Sequence, residues 1–467
     1  MNYIAVRCVE LSLILGLCLS ASGQDLPAKH RPAGVTGHKN SPVPEEALLK
    51  LRDEGRTPEM RQHAWQLFAR LTGQTPVWET WYTKCDVNLS VQECPEWKDR
   101  LNNRHRLFRN FDVPIQVLNE FSRLNDPDLR NGTSDDKLAD FLAKFKRAPQ
   151  VASVLYNPSA AQHILGEQLY KKKTLDDIRD ERRLHRSPED EWEIAPFPRD
   201  SIVIKTAWQV VDVVNHDYRV YIWDPKVLKD RRAAGNYDAL SFTSSWGNFV
   251  TIDLTPGRLC SSDSYPDRSS VPIDCFYHFK IKDERDVAAF PASVGQIVGP
   301  SGRAIQPENY LVLVAMHVTT REIPNWVWAT FWWSNQAREP GYGDGRPPEI
   351  TGKWRHFLMD TTLSGVTPRD SLDQGNKICF NPYLEEIFEN GIASNCIQCH
   401  QRAVYPPKPG GYNLGLLGRD GETPARGAKP NPTYFSDAIK LDFIWSLNSP
   451  HDEKQLRLLK SFVQALE

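Results

Sequence analysis

Past its opening residues the chain has no apolar stretch long and uncharged enough to span a bilayer, which excludes a later transmembrane helix. Net charge is almost absent: 57 Lys and Arg against 59 Asp and Glu leave −2, so no general pull toward nucleic acid or anionic lipid exists. No Gly-rich phosphate loop, zinc-protease helix or Ser nucleophile elbow is found, which removes the usual sequence signs of nucleotide, zinc-peptidase and serine-hydrolase chemistry. There is no internal repeat and no low-complexity tract. Methionine stops at Met359, so the rest of the chain has no thioether of its own to offer a metal.

What is there begins with 467 residues, enough for two or three domains. Forty per cent hydrophobic and 25 per cent charged residues place the chain among ordinary globular proteins. The fourteen Trp point to large aromatic clusters or a binding surface, and the thirty-four Pro to irregular connections. Residues 1–23 read as a signal peptide: Arg7, the apolar core Leu11 to Leu19, then the small residues Ala21-Ser22-Gly23. Glu10 runs against that pattern, and Leu17 before Cys18 is too large for a lipoprotein site. The expected location is therefore periplasmic or secreted, where disulfides persist. Cys85 with Cys94, and Cys260 with Cys275, are close enough in sequence to staple their own loops, the longer worth about 3 kcal/mol. Cys379 is left over as an expected buried thiol.

The pattern along the chain predicts an α+β multidomain protein. Residues 24–43 are polar and aperiodic, a flexible leader. Residues 44–199 read as helical. Thr57-Pro58-Glu59 opens a helix whose apolar face is Met60, Ala64, Leu67, Phe68 and Leu71, with Gly73 ending it. Ser134 or Asp135 caps another, striped by Leu138, Phe141, Leu142 and Phe145. From 200 to 360 the period changes to two, predicting an antiparallel, sandwich-like β domain. Within it Tyr310 to Trp333 reads as a hairpin, with Trp326, Trp328, Thr330 and Trp332 on one face. Residues 376–467 are predicted to be helical again.

That last region contains Cys396-Ile397-Gln398-Cys399-His400. A structural zinc site needs four ligands, and Cys379 is the only further cysteine nearby. A thioredoxin-like dithiol needs a strand before it, whereas "NPYLEEIFENGIAS" reads as helix. A chance match is the bland alternative. Two cysteines separated by two residues, followed by His, suit covalent c-type haem: the thiols reach the two vinyl groups and the His lies beneath the iron. The flanks resemble the class I cytochrome c domain. "GGYNLGLLGRDG", Gly410 to Gly421, is similar to that family's loop, although Tyr412 stands where the family has Pro. Ser449, Pro450 and Asp452 open a closing helix with Leu456, Leu459, Phe462, Val463 and Leu466 on one face. The resemblance covers about a fifth of the chain, and it implies an all-α C-terminal domain in which the closing helix crosses the one before the motif.

The same resemblance implies one haem c held by Cys396 and Cys399, with His400 as proximal iron ligand. The family's second ligand, a Met, is missing, and Leu441 falls near its place. His317, in an otherwise apolar strand, is the distal candidate; His451, His356, Lys440 and Asp442 are weaker ones. The expected function is one-electron transfer to an exported redox partner or a small-molecule oxidant. The alternatives are a haem enzyme, peroxidase- or oxygenase-like, at an open distal face, or a haem-based sensor. A packed aromatic core and an aromatic wall over the haem both remain open for the Trp strand.

Overall fold

The computed structural model describes residues 43–73, 75–89, 103–113, 115–125, 135–147, 150–185, 192–226, 230, 243, 246–291, 294, 305–365, 378–385, 395–408, 432–448 and 453–466. The expected signal peptide, nearly all of the leader, Cys94, His451 and the loop Gly410 to Gly421 lie outside them.

The chain enters through α1 (Glu45–Glu54), α2 (Thr57–Leu71), the short strand β1 (Tyr82–Thr83), α3 (Asn103–Arg109), α4 (Ile115–Asn125) and α5 (Asp135–Arg147). Strand β2 (Gln150–Tyr156), helices α6 (Pro158–Gly166) and α7 (Lys172–Leu184) and strand β3 (Ile202–Val211) follow. Strands β4 (Arg219–Tyr221), β5 (Phe249–Asp253) and β6 (Ser270–Pro272) make a small separate sheet. Next come β7 (His278–Lys280), the one-turn helix α8 (Glu284–Ala288), β8 (Tyr310–Thr320), β9 (Val327–Trp333) and β10 (Phe357–Thr362). The end carries α9 (Cys396–His400), β11 (Val404–Tyr405), β12 (Ile439–Lys440) and α10 (Glu453–Leu466).

The main sheet has seven strands in the order β1-β2-β3-β8-β9-β10, with β7 also pairing to β8. Every pairing in it is antiparallel. Strand β9 is buried at all seven positions because both sheet faces are covered. On one face Phe331 meets α2, where Phe68 stacks on it at 4.3 Å between ring centres and Trp65 leans in at 5.6 Å. Each fully buried side chain of this size contributes about 1.5–3 kcal/mol. The apolar stripe of α2 follows from its period, and the chain leaves the helix through Gly73 at φ 67, a left-handed conformation that a Cβ would strain. Trp328, Thr330 and Trp332 alternate onto the opposite face. Trp326 precedes the strand, at φ 59, and packs in the same buried cluster as Trp328.

The fold class is α+β with a large antiparallel sheet, and the expected all-α C-terminal domain is corrected. Among the described residues no such domain is evident. Asn381 to Glu385, expected to begin a helix before the haem motif, form a turn. The motif helix is held instead by a parallel bridge between Cys379 and Asn395 and by the β11–β12 pair. The closing helix α10 packs on α4 and α5, where Phe462 meets Phe121 at 5.1 Å and Phe145 at 5.3 Å. An amphipathic face states that a helix must pack; it does not name the surface.

Candidate functional site

The motif forms a short helix because Asn395 caps it, its side chain accepting from the Ile397 amide at 2.9 Å. This helix lies against the Trp328 face of the main sheet, with the His400 ring 4.2 Å from the Trp328 ring. His400 Nδ1–H donates to the Phe443 carbonyl at 2.8 Å. A carbonyl only accepts, so this bond fixes the tautomer and leaves a lone pair on Nε2, the form a metal-ligating His requires. Burial pushes the imidazole pKa down to about 3, the bond to the Phe443 carbonyl opposing and the neighbouring His317 and Lys205 lowering it further. At neutral pH the ring is therefore an uncharged donor.

The Phe443 carbonyl is itself positioned. Asp442 and Phe443 both take left-handed backbone conformations, φ 42 and φ 69, which cost about 1–3 kcal/mol each and must be held by their surroundings. Asp442 supplies that hold: its carboxylate accepts from the Phe197 amide at 2.9 Å, Arg321 Nε at 3.0 Å and Trp326 Nε1 at 3.2 Å. Considered from sequence as an iron ligand, Asp442 is instead a brace for the carbonyl that orients His400. Lys440, the neighbouring candidate, lies in β12 with its ammonium 3.9 Å from Glu193. Leu441 is fully buried.

The thiols argue against two of the alternative readings. Burial, with the Glu385 charge adding, raises the Cys399 thiol to about 12, the opposite of the thiolate a redox dithiol needs. Among the described residues, the metal-sized grouping of His, Cys and acidic donors is Cys260, Cys275 and His356, so the motif's sulfurs and imidazole do not converge on one ion. Cys379 is buried as expected, its sulfur 3.8 Å from that of Cys396.

The sheet adds a polar row facing the same side. Register places Lys205 of β3 opposite His317 of β8, His317 opposite Thr330 of β9, and Thr330 opposite Asp360 of β10. His317 Nε2 is 2.6 Å from Glu385 Oε1, while its buried Nδ1 has no hydrogen-bond partner. Asn381, beside Glu385 in the turn, donates to the Thr330 hydroxyl at 2.7 Å. Alternation turns Met316 and Met359 to the other face, toward Phe331, so neither thioether lies on the motif's side. His317 thus shares the motif's side of the sheet and acts electrostatically on His400.

Lys205 and Glu385 were missed, although Lys205 stands out as the one charge inside the apolar run "SIVIKTAWQVV". Burial lowers its pKa, with Lys84 acting the same way and Glu385, Cys399 and Asp112 opposing.

His356 lies elsewhere. Cys260 and Cys275 form a disulfide, as expected, and His356 Nε2 is 3.2 Å from the Cys260 sulfur. With the sulfurs bonded to each other, that grouping is a disulfide with a packed imidazole. The ring stacks on Trp333 at 5.2 Å and 18°, and burial lowers its pKa to about 4. Unfolded His titrates near 6.5, so the unfolded chain binds the extra proton first. This group's contribution to stability falls by about 3 kcal/mol as pH drops from about 6.5 to 4. Denaturant midpoints of wild type and His356→Phe against pH are expected to diverge in that window, the variant lacking this part of the slope. Parallel curves would refute the assignment. The Cys85–Cys94 pairing falls outside the described residues because Cys94 does.

No protein family, no curated protein and no solved structure matches this chain. No helix among the described residues is long and apolar enough to cross a membrane.

Proposed function

We propose that the chain carries one haem c, attached through Cys396 and Cys399 with His400 as proximal iron ligand, and exchanges single electrons with an exported redox partner or a small-molecule oxidant. One observation carries this reading: within a capped Cys-x-x-Cys-His helix, His400 gives its Nδ1 proton to the Phe443 carbonyl and keeps the Nε2 lone pair. The donor set suits a porphyrin, with two thiols for thioether bonds and one neutral imidazole in an interior lined by Trp328. Bound there, the haem would supply an iron that cycles between ferrous and ferric states. The chain's own residues orient the imidazole and set the local charge.

The alternative, a haem enzyme acting on a small molecule, is favoured by one feature. Met316 and Met359 point to the far side of the sheet, so neither would offer a thioether to a haem held by the motif. A methionine ligand would leave such an iron no site for a small molecule.

The full chain, produced alongside a c-type haem maturation system and fully denatured, is expected to keep one haem per polypeptide on a stained gel. Cys396→Ala with Cys399→Ala is expected to lose all covalent haem. His400→Ala is expected to change the iron's spectrum. A wild-type chain that emerges without covalent haem under these conditions ends the proposal.

A further inference from the structure

We propose that, before haem is attached, a disulfide joins Cys379 to Cys396 and keeps Cys396 from reacting until a dithiol reductant opens it. The inference rests on the haem reading above for its consequence, although the bond itself needs no haem. In the structure Cys379, Cys396 and Cys399 are all thiols. The sulfurs of Cys379 and Cys396 are 3.8 Å apart, close to van der Waals contact. A turn of one side chain brings such a pair to the bonding distance of about 2.05 Å.

Both residues are held in place from outside the pair. The Cys396 amide donates to the Cys379 carbonyl at 3.2 Å, and Cys379 bridges Asn395 in parallel register. Two residues after Cys379, the Asn381 side chain donates to the Thr330 hydroxyl at 2.7 Å and to the Phe331 carbonyl at 2.9 Å. Just before Cys396, the Asn395 side chain donates to the Ser364 carbonyl at 3.3 Å. The two cysteines are 17 residues apart in sequence, yet the fold has already closed that loop, so the bond demands little further ordering.

Cys399 is the other sulfur that Cys396 could reach. Residues three apart on a helix have Cβ atoms about 5–6 Å from each other, against about 3.5–4.5 Å across a disulfide. Helix α9 thus holds the motif's own sulfurs apart, and Cys379 is the better-placed partner. Cys379 is fully buried and Cys396 is 8% exposed, so Cys396 is the sulfur that an incoming thiolate meets. Closing the bond passes two electrons and two protons from the pair of thiols to a disulfide oxidant, which becomes two thiols. Opening runs the same exchange in reverse with a dithiol, which is left as a disulfide. With the bond closed Cys396 has no thiol to offer a porphyrin; with it open both motif thiols are available.

The test starts from the full-length chain exported without a haem supply. Its thiols are blocked with N-ethylmaleimide under denaturing conditions, and the unreduced digest is mapped by mass spectrometry. A cross-linked peptide pair joining Cys379 to Cys396 is expected, with Cys399 carrying the maleimide. Prior treatment with dithiothreitol is expected to abolish the cross-link and leave Cys379, Cys396 and Cys399 all labelled. Covalent haem loading is then compared between wild type and Cys379→Ala at low and at saturating reductant. At low reductant the variant is expected to carry severalfold more haem, and at saturating reductant the two are expected to agree. A purely structural role for Cys379 would change loading equally at both. Cys379→Ser is expected to behave as Cys379→Ala does.

Maleimide on both Cys379 and Cys396 of the haem-free chain, or a cross-link from Cys396 to Cys399, overturns the proposal. So does a Cys379→Ala chain that loads no better than wild type at low reductant. A cross-linked chain that takes up no covalent haem at any reductant concentration overturns the haem reading and leaves the disulfide standing. A wild type that loads haem, but whose haem-free form lacks the cross-link, overturns only this inference.

Discussion

Asp442→Ala is expected to lower the free energy of unfolding by about 3–5 kcal/mol, the usual result of removing one partner from a buried ion pair. Asp442 is 7% exposed, and the side chain of its partner Arg321 is 12% exposed. The substitution leaves the guanidinium without its carboxylate and orphans the Phe197 amide and the Trp326 indole N–H as well. Two left-handed residues, Asp442 and Phe443, then lose what holds them. The denaturant midpoint is expected to fall with its slope unchanged.

A purely structural role would end there. If the carboxylate braces the carbonyl that orients His400, the haem-loaded variant is also expected to show an altered ferric spectrum. Asp442→Asn, which keeps a carbonyl oxygen, is expected to restore much of that spectrum while recovering only part of the stability. A destabilised Asp442→Ala protein with the wild-type spectrum would reduce Asp442 to a packing residue.

The parts of the fold that the sequence made legible are those fixed by local period. Strand β8 and strand β9 read as a hairpin because two apolar and aromatic runs flank one loop, and they pair through Thr320 and Val327. Helices α2 and α5 announced themselves by Thr57-Pro58 and Ser134-Asp135 before clean stripes, and the helices run Thr57–Leu71 and Asp135–Arg147. Trp326 lies just outside the strand at φ 59, which nothing in the residue type foretells, yet packs beside Trp328 in one cluster. The Cys-x-x-Cys-His motif was readable because its residues are consecutive. The groups around it were hidden because they meet only through tertiary structure. His317 and Glu385 are 68 residues apart, and Arg321 and Asp442 are 121 apart. A period can say that Lys205 shares a face with Val203 and Ala207. It cannot say that β8 lies alongside, or that His317 is the residue opposite.

The largest departure concerns the closing helix, and it carries its own prediction. Phe462 is fully buried and touches Phe121 of α4 and Phe145 of α5 edge-on, both at 71° between ring planes. Phe462→Ala removes that ring from a three-helix contact, at a cost of about 3–5 kcal/mol. In a cytochrome c-like domain the closing helix would cross the helix before the haem motif, and its loosening would disturb the haem. Here it packs on helices from the first third of the chain, while His400 rests on Trp328 and Phe443. The variant is therefore expected to unfold at markedly lower denaturant yet keep the wild-type spectrum under native conditions. Asp442→Ala is expected to move both stability and spectrum. A spectrum that shifts in Phe462→Ala as it does in Asp442→Ala would return the closing helix to the haem region and undo the corrected architecture.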